Sequence, residues 1–172
     1  MQRIGLISDT HGYLDPKVYE YFEYCDQIWH AGDFGPIEVS RELSDFKPLR
    51  GVYGNIDDAK IRELHPKDDR FECEGVDVWM THIGGYPGKY ERGVGKKIKE
   101  NPPDLFICGH SHILRVMRDP KLNKMLHFNP GAAGRHGFHV MRTMLRFEID
   151  AGKVGKLQAV ELGPRTVQRV DP

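Results

Sequence analysis

Short apolar runs, each closed by a glycine or a polar cluster, punctuate the chain: "RIGLISD" (3–9), "QIWHAGD" (27–33), "LRGVYGN" (49–55), "VDVWMTH" (76–82) and "DLFICGH" (104–110). Runs of this length predict strands covered on both faces. Between the first of them, "PKVYEYFEYC" (16–25) and "PIEVSRELSDF" (36–46) carry helical spacing. Both open on proline, a residue favoured at the first helical position. The alternation predicts βαβ units. From about residue 68 the texture changes, and "RFECEGVDVWMTH" (70–82) sets Gly75 between two alternating runs, as a hairpin does. The spacing predicts a helix over 90–100, basic toward its end. After Pro102 and Pro103 strands return over 114–119, 124–129, 143–150 and 156–162, with turn chemistry at 119–123 and 150–152. We expect one α/β domain over residues 1–164 and a frayed tail over 165–172.

Lysine plus arginine number 25, as do aspartate plus glutamate. No net field therefore draws in long nucleic acid or anionic lipid, and an anionic substrate has to be attracted locally. No apolar run approaches a membrane span or a signal-peptide core, so a soluble, cytoplasmic protein is expected. Cys25, Cys73 and Cys108 are odd in number and widely spaced, which suits reduced, buried thiols.

The chemistry lies where the apolar runs stop. Asp9 and His11 follow "IGLIS", Asp33 follows "IWHAG", Asn55 follows "GVYG", His82 follows "VWMT", and His110 and His112 follow "LFICG". In extended chain, residues two apart point the same way, so each pair is expected to aim two donors at one point. Ligands of open α/β sheets bind at these carboxyl ends. Gly32, Gly54 and Gly109 precede three of the positions, where a sharp turn favours a residue without a Cβ. A lone histidine at a strand end is ordinarily a hydrogen-bonded turn residue, but seven oxygen and nitrogen donors at five strand ends make a set. Carboxylate, amide and imidazole without thiolate suit a two-metal hydrolytic site for manganese, iron, zinc, nickel or cobalt. Asp9 and Asp33, buried behind apolar strands, also need a cation or donors to compensate them.

In order, "DTHG", "GDFG", "GNID", "THIGG" and "GHSH" resemble the calcineurin-like metallophosphoesterases. The compact length resembles the small YfcE-like phosphodiesterase branch, whose fold is shared by vacuolar protein sorting 29. The resemblance implies an α/β fold of two mixed β-sheets packed as a sandwich and flanked by helices. It further implies that Asp9, His11 and His112 hold one divalent metal, that Asn55, His82 and His110 hold a second, and that Asp33 bridges them. Manganese leads among the metals, and a metal-bridging hydroxide would attack a small phosphodiester or nucleotide-like substrate. Homodimers are a habit of the family. Scaffold relatives lose metal ligands, whereas all seven positions here carry competent donors, which favours a phosphoesterase over a protein-binding scaffold.

Two departures bear on mechanism. Ile56 stands where many relatives place a histidine that contacts phosphate and protonates the leaving group. General-acid help worth roughly a hundredfold is therefore missing at that position, and Asp57 is expected to lack its usual partner. His30, His136 and His139 are alternative acids whose simpler reading is structural. "NPGAAGRHG" (129–137) carries Ala132 where the family has serine. It reads either as a phosphate-binding turn with Arg135 beside the anion or as a plain tight turn. "GGYPGKYERG" (84–93) reads as a flexible lip whose Tyr86, Lys89 and Tyr90 face substrate, His127 as a satisfied sheet residue, and Ser111 as a spacer.

Overall fold

The structure is a computed structural model in which residues 1–166 are described. In chain order the first elements are β1 (Gln2–Ile7), α1 (Lys17–Phe22), β2 (Gln27–His30), α2 (Ile37–Phe46), β3 (Leu49–Gly51), α3 (Ala59–Leu64), β4 (Asp68–Cys73) and β5 (Val76–Thr81). There follow β6 (Gly85–Tyr86), β7 (Lys89–Tyr90), α4 (Arg92–Glu100), β8 (Leu105–Ile107), β9 (Leu114–Asp119), β10 (Met125–Pro130), β11 (Met141–Asp150) and β12 (Lys153–Pro164). They build two five-stranded mixed sheets, ordered β12-β11-β1-β2-β3 and β4-β5-β8-β10-β9. Within them β1, β2 and β3 run parallel, as do β5, β8 and β10. The expected two-sheet sandwich flanked by helices is what forms.

Strand alternation explains the layers. Ile4 and Leu6 of β1 point between the sheets, where they meet Trp29, Phe147, Val78, Met80, Leu105 and Phe128. Ile7 points the other way, onto Val18 and Phe22 of α1, Val39 and Leu43 of α2, and Ile61 of α3. Gly5 shares that outer face, and any Cβ there would lie 2.7 Å from the Phe22 ring. On the far side, Trp79 and Phe106 pack under Ile98 of α4. Each large apolar side chain buried this way contributes about 1.5–3 kcal/mol, so the central strand runs need apolar residues on both faces.

Several expectations change. Pro16 and Pro36 occupy the cap positions of α1 and α2 rather than the first helical turn, and α1 stops at Phe22. Helix α3 has no periodicity to announce it at six residues; Asp58 starts it by accepting the Lys60 and Ile61 amide hydrogens at 3.0 and 3.2 Å. Helix α4 begins at Arg92, because Glu91 caps it through the Gly93 and Val94 amides and Tyr90 belongs to β7. The expected flexible lip is thus a small β6–β7 hairpin. All three cysteines are free and buried. Of the expected tail, Arg165 is tied to the body by its amide donating to the Val140 carbonyl at 2.9 Å; residues 167–172 lie outside the described part. No helix among the described residues is long and apolar enough to cross a membrane.

Candidate metal centre

All seven donors expected from the sequence sit in loops at the carboxyl ends of β1, β2, β3, β5 and β8. How the chain aims them differs from expectation. Asp9 (φ 52°), His11 (φ 45°), Asp33 (φ 58°), His110 (φ 67°) and His112 (φ 57°) all adopt left-handed backbone. The paired donors therefore converge through left-handed turns, not through an extended strand. Such backbone costs about 1–3 kcal/mol per residue and is retained where the surroundings enforce it. Here glycines make the enforcement possible: a Cβ at Gly54 would overlap the Asp33 carboxylate, one at Gly109 the Ser8 hydroxyl, and one at Gly32 the His82 ring. Close approach across the site is what all three glycines allow, and Gly32 (φ 99°) also supplies the turn geometry expected of it.

The donors form two sets, Asp9 with His11 and His112, and Asp33 with His82 and His110; within each set the donor atoms lie within 4.8 Å of one another. His112 Nε2 is 3.1 Å from Asp9 Oδ1 and 3.3 Å from His11 Nε2. His82 Nε2 is 3.2 Å from Asp33 Oδ2 and 3.1 Å from Asn55 Oδ1. Asp33 Oδ2 also lies 3.6 Å from His11 Nε2, so this one carboxylate borders both sets. Asp9 Oδ2 accepts from the Ser8 hydroxyl and the His110 amide, while Asp9 Oδ1 is fully buried without a hydrogen-bond partner. An orphaned carboxylate oxygen facing imidazole nitrogens is the donor arrangement a divalent cation satisfies.

Second partners settle the tautomers of two rings. His82 Nδ1–H donates to the Ala31 carbonyl at 2.8 Å, which leaves Nε2 as the ring atom that faces Asp33 and Asn55. For His112 the same task falls to a side chain. His139 Nε2–H donates to the Gly134 carbonyl at 3.0 Å, leaving His139 Nδ1 bare to accept from His112 Nδ1–H at 3.3 Å. His112 Nε2 is thereby free for Asp9. His139 is a brace, then, which a lone histidine in a loop sequence gave no means of seeing.

The loops are tied to one another by two further residues. Asp57 has backbone partners in place of the histidine replaced by Ile56: it accepts amide hydrogens from Asp33 at 3.0 Å, Gly35 at 3.0 Å and Gly54 at 2.7 Å. Asn129 donates to the Gly109 carbonyl and the Ser111 hydroxyl and accepts from the Gly131 amide. Ser111 also accepts from the Ile113 amide. It therefore holds the "GHSH" turn closed as well as spacing the histidines.

Burial shapes the charges. It pushes the pKa of His11 and His110 below the ordinary imidazole value, while the Asp9 and Asp33 carboxylates pull the other way. Burial also opposes charge on His82, but contact with Asp33 and Asp9 outweighs it and raises that pKa. Asp33 in turn is held below the usual carboxylate value: desolvation raises it, and His82 and the Ile56 amide more than compensate. Asp57 lies above its ordinary value because desolvation exceeds the help of its amide donors.

The remaining sequence candidates separate cleanly. His30 is fully buried, accepts the Gly32 amide hydrogen on Nδ1, meets Thr10 through Nε2, and stacks on Phe34 at 3.6 Å; it is structural. His136 is exposed with its ring 5.0 Å from that of His11. His127 lies in β10 with Nε2 donating to Gly85, but its Nδ1 is buried without a partner, so it is not fully satisfied. In "NPGAAGRHG" the Ala133 and Gly134 amides donate to the Ser8 and Asp9 carbonyls and the Gly131 amide to Asn129. The Ala133 and Gly134 amides are spent on bracing the first loop and the Gly131 amide on Asn129, which removes these three from anion binding. Arg135 is engaged with Tyr13, Nη2 to the hydroxyl at 3.0 Å, rather than with either donor set. Tyr90 turns inward onto Asp119 at 2.8 Å, Tyr86 lies under Arg115, and Lys89 is exposed. Ile56 is about half exposed beside the centre and offers only its amide, to Asp33 Oδ1 at 3.1 Å.

Comparison with known proteins gives the family. Residues 2–152 match the calcineurin-like phosphoesterase superfamily domain. A "probable metallophosphoesterase" of Methanothermobacter thermautotrophicus is 31% identical over 140 residues, 75% of this chain and 76% of that protein. An archaeal phosphodiesterase superposes with TM-score 0.72 at 21% identity, over 92% of this chain and 99% of that one. Zinc-complexed Vps29 of Entamoeba histolytica does so with TM-score 0.69 at 16% identity, over 94% and 99%; at these identities the two structures speak to the fold alone. On the family match and the curated relative, the chain belongs to the calcineurin-like phosphoesterase superfamily and is a metal-dependent phosphoesterase.

Proposed function

We propose that the protein holds two divalent cations and hydrolyses small phosphodiesters with them. Asp9, His11 and His112 form one site, Asn55, His82 and His110 the other, and Asp33 is shared. The observation that carries this reading is the buried, unpartnered Asp9 Oδ1 within a cage of imidazoles. A mixed oxygen and nitrogen set accepts manganese, iron, zinc, nickel or cobalt, and the family resemblance puts manganese first. When bound, a cation pair supplies Lewis acidity, activates water and clamps phosphate oxygens.

The chain's own residues do the rest. Neutral imidazoles and the Asn55 amide leave the cations most of their charge, and Asp33 contributes the one shared anion. Ala31 and His139 hold two rings in the tautomer that points a lone pair inward. His110 and Asn55 lie on the exposed side, which is where a diester enters. Ile56 supplies no proton at that mouth, so substrates with good leaving groups are turned over fastest.

Elemental analysis should give close to two metals per chain after loading with manganese. Asp33→Asn should lose metal and diester hydrolysis together, and an Asp33→Asn protein that is metal-free yet fully active would overturn the reading.

A further inference from the structure

A trough of about 580 Å³ opens beside the centre, and Asn55 and His82 form one of its walls. Anything held at that centre has room for its organic part there. The floor is apolar, from Ile83, Val94, Tyr53 and Trp79. Into it reach three cations carried by separate parts of the chain: Arg62 from α3, Lys67 from the link between α3 and β4, and Lys97 from α4. Two are braced on aromatic faces, the Arg62 guanidinium 4.8 Å from the Tyr53 ring centre and Lys97 Nζ 5.7 Å from that of Trp79. None of the three forms an ion pair among the described residues. Two carboxylates also line the trough, Asp68 and Glu91, but Glu91 is occupied in capping α4. Over the whole chain positive and negative side chains balance at 25 each, so this excess is local.

We propose that the trough is a second anion subsite, and that the substrate is a phosphodiester whose organic arm carries another phosphate, as in a nucleotide with a second, terminal phosphate group. The subsite rests on the metal-centre reading, because it is defined by what hangs from the scissile phosphate. The apolar floor takes the sugar or ring, and Arg62, Lys67 and Lys97 take the distal phosphate through charge-assisted hydrogen bonds.

The test uses the manganese-loaded protein and two chromogenic diesters that differ only in the distal group: thymidine 5′-(4-nitrophenyl phosphate), with and without a 3′-phosphate. The 3′-phosphate should lower KM about tenfold, the scale of one or two charged hydrogen bonds. In the Lys67→Ala/Lys97→Ala double variant that preference should vanish while KM for the unphosphorylated diester stays within about twofold. Arg62→Gln should reduce the preference in the same direction. Equal KM values in the wild type, or a preference untouched in the double variant, would overturn the subsite. Loss of hydrolysis of both diesters in the wild type would count against the catalytic reading instead. In that case calorimetry decides the subsite: thymidine 3′,5′-bisphosphate must bind about tenfold more tightly than thymidine 5′-monophosphate and lose that advantage in the double variant.

Discussion

The two halves of the metal centre are braced by different means. On one side His82 is buried and its ring is fixed by the Ala31 carbonyl, a backbone atom that substitution cannot remove. On the other His112 is fixed by His139, a half-buried loop side chain whose ring is itself held by the Gly134 carbonyl. Asp33 and Asn55 share the first side with Asp57, whose three amide contacts knit two loops together. The His82 ring is thus held by a buried backbone carbonyl and the His112 ring by a side chain nearer solvent. The difference teaches that equal ligand counts need not mean equal support: a remote substitution reaches the His82 side through Asp57 and the His112 side through His139.

Removing Asp57 is expected to have the largest effect. Asp57→Ala leaves three amide hydrogens without their acceptor, and at about 1–3 kcal/mol for each buried donor the loss is several kcal/mol. Urea denaturation should show it, and metal content should fall in the Asp33 half first. A variant as stable as the wild type would mean that the loops do not depend on this carboxylate.

Next come the ligands themselves. His82→Ala and His112→Ala should each remove about one metal per chain, but from different sets, with several kcal/mol of binding lost where a ligand is missing. A competitive metal titration of the double variant tells the sets apart. If the double variant loses no more than either single one, the division into two sites is wrong.

His139→Ala sharpens the comparison directly. Affinity for the metal held by Asp9, His11 and His112 should fall about 10–100-fold, with the other site unmoved. His139→Gln, which can accept from His112 and donate to Gly134, should recover part of that loss. Nitrogen NMR of the metal-free protein should show His112 protonated on Nδ1 in the wild type and a tautomer mixture in His139→Ala. An unchanged tautomer would make His139 mere packing.

The smallest effect concerns acid stability. Burial lowers the His127 pKa from 6.5 to about 4, so folding favours its neutral form. That stability is present above about pH 6.5, where the unfolded chain is also neutral, and is lost as pH falls toward 4 because only the unfolded chain takes up the proton. The full loss is roughly 3 kcal/mol. Denaturation of His127→Gln should therefore lose less stability than the wild type between pH 7 and 4. Parallel pH dependences would assign the acid response to other groups, His30 among them, since burial lowers its pKa as well.

What could be read from the sequence follows from what is local. Apolar runs ending in polar residues marked the strands, and with them the strand ends where Asp9, Asp33, His82 and His110 stand, because a strand buried on both faces leaves a continuous apolar run. Gly75 between two alternating runs marked the β4–β5 hairpin for the same kind of reason. Helix α3, at six residues, is too short for a periodic pattern, and the hairpin of β6 and β7 carries only two residues a side. Only the tertiary structure decided how the donors are aimed. The left-handed turns at Asp9, His11, His110 and His112 are enforced by contacts with loops far away in sequence, and the bond between His139 and His112 spans 27 residues. The sequence showed that Asp57 lacks the histidine many relatives place at position 56, but not what replaces it: backbone amides fill its acceptor atoms, and every residue but proline carries one, so no motif displays them. Residue types thus determined which chemistry was on offer, while distance through space decided which histidines bind, which brace and which merely pack.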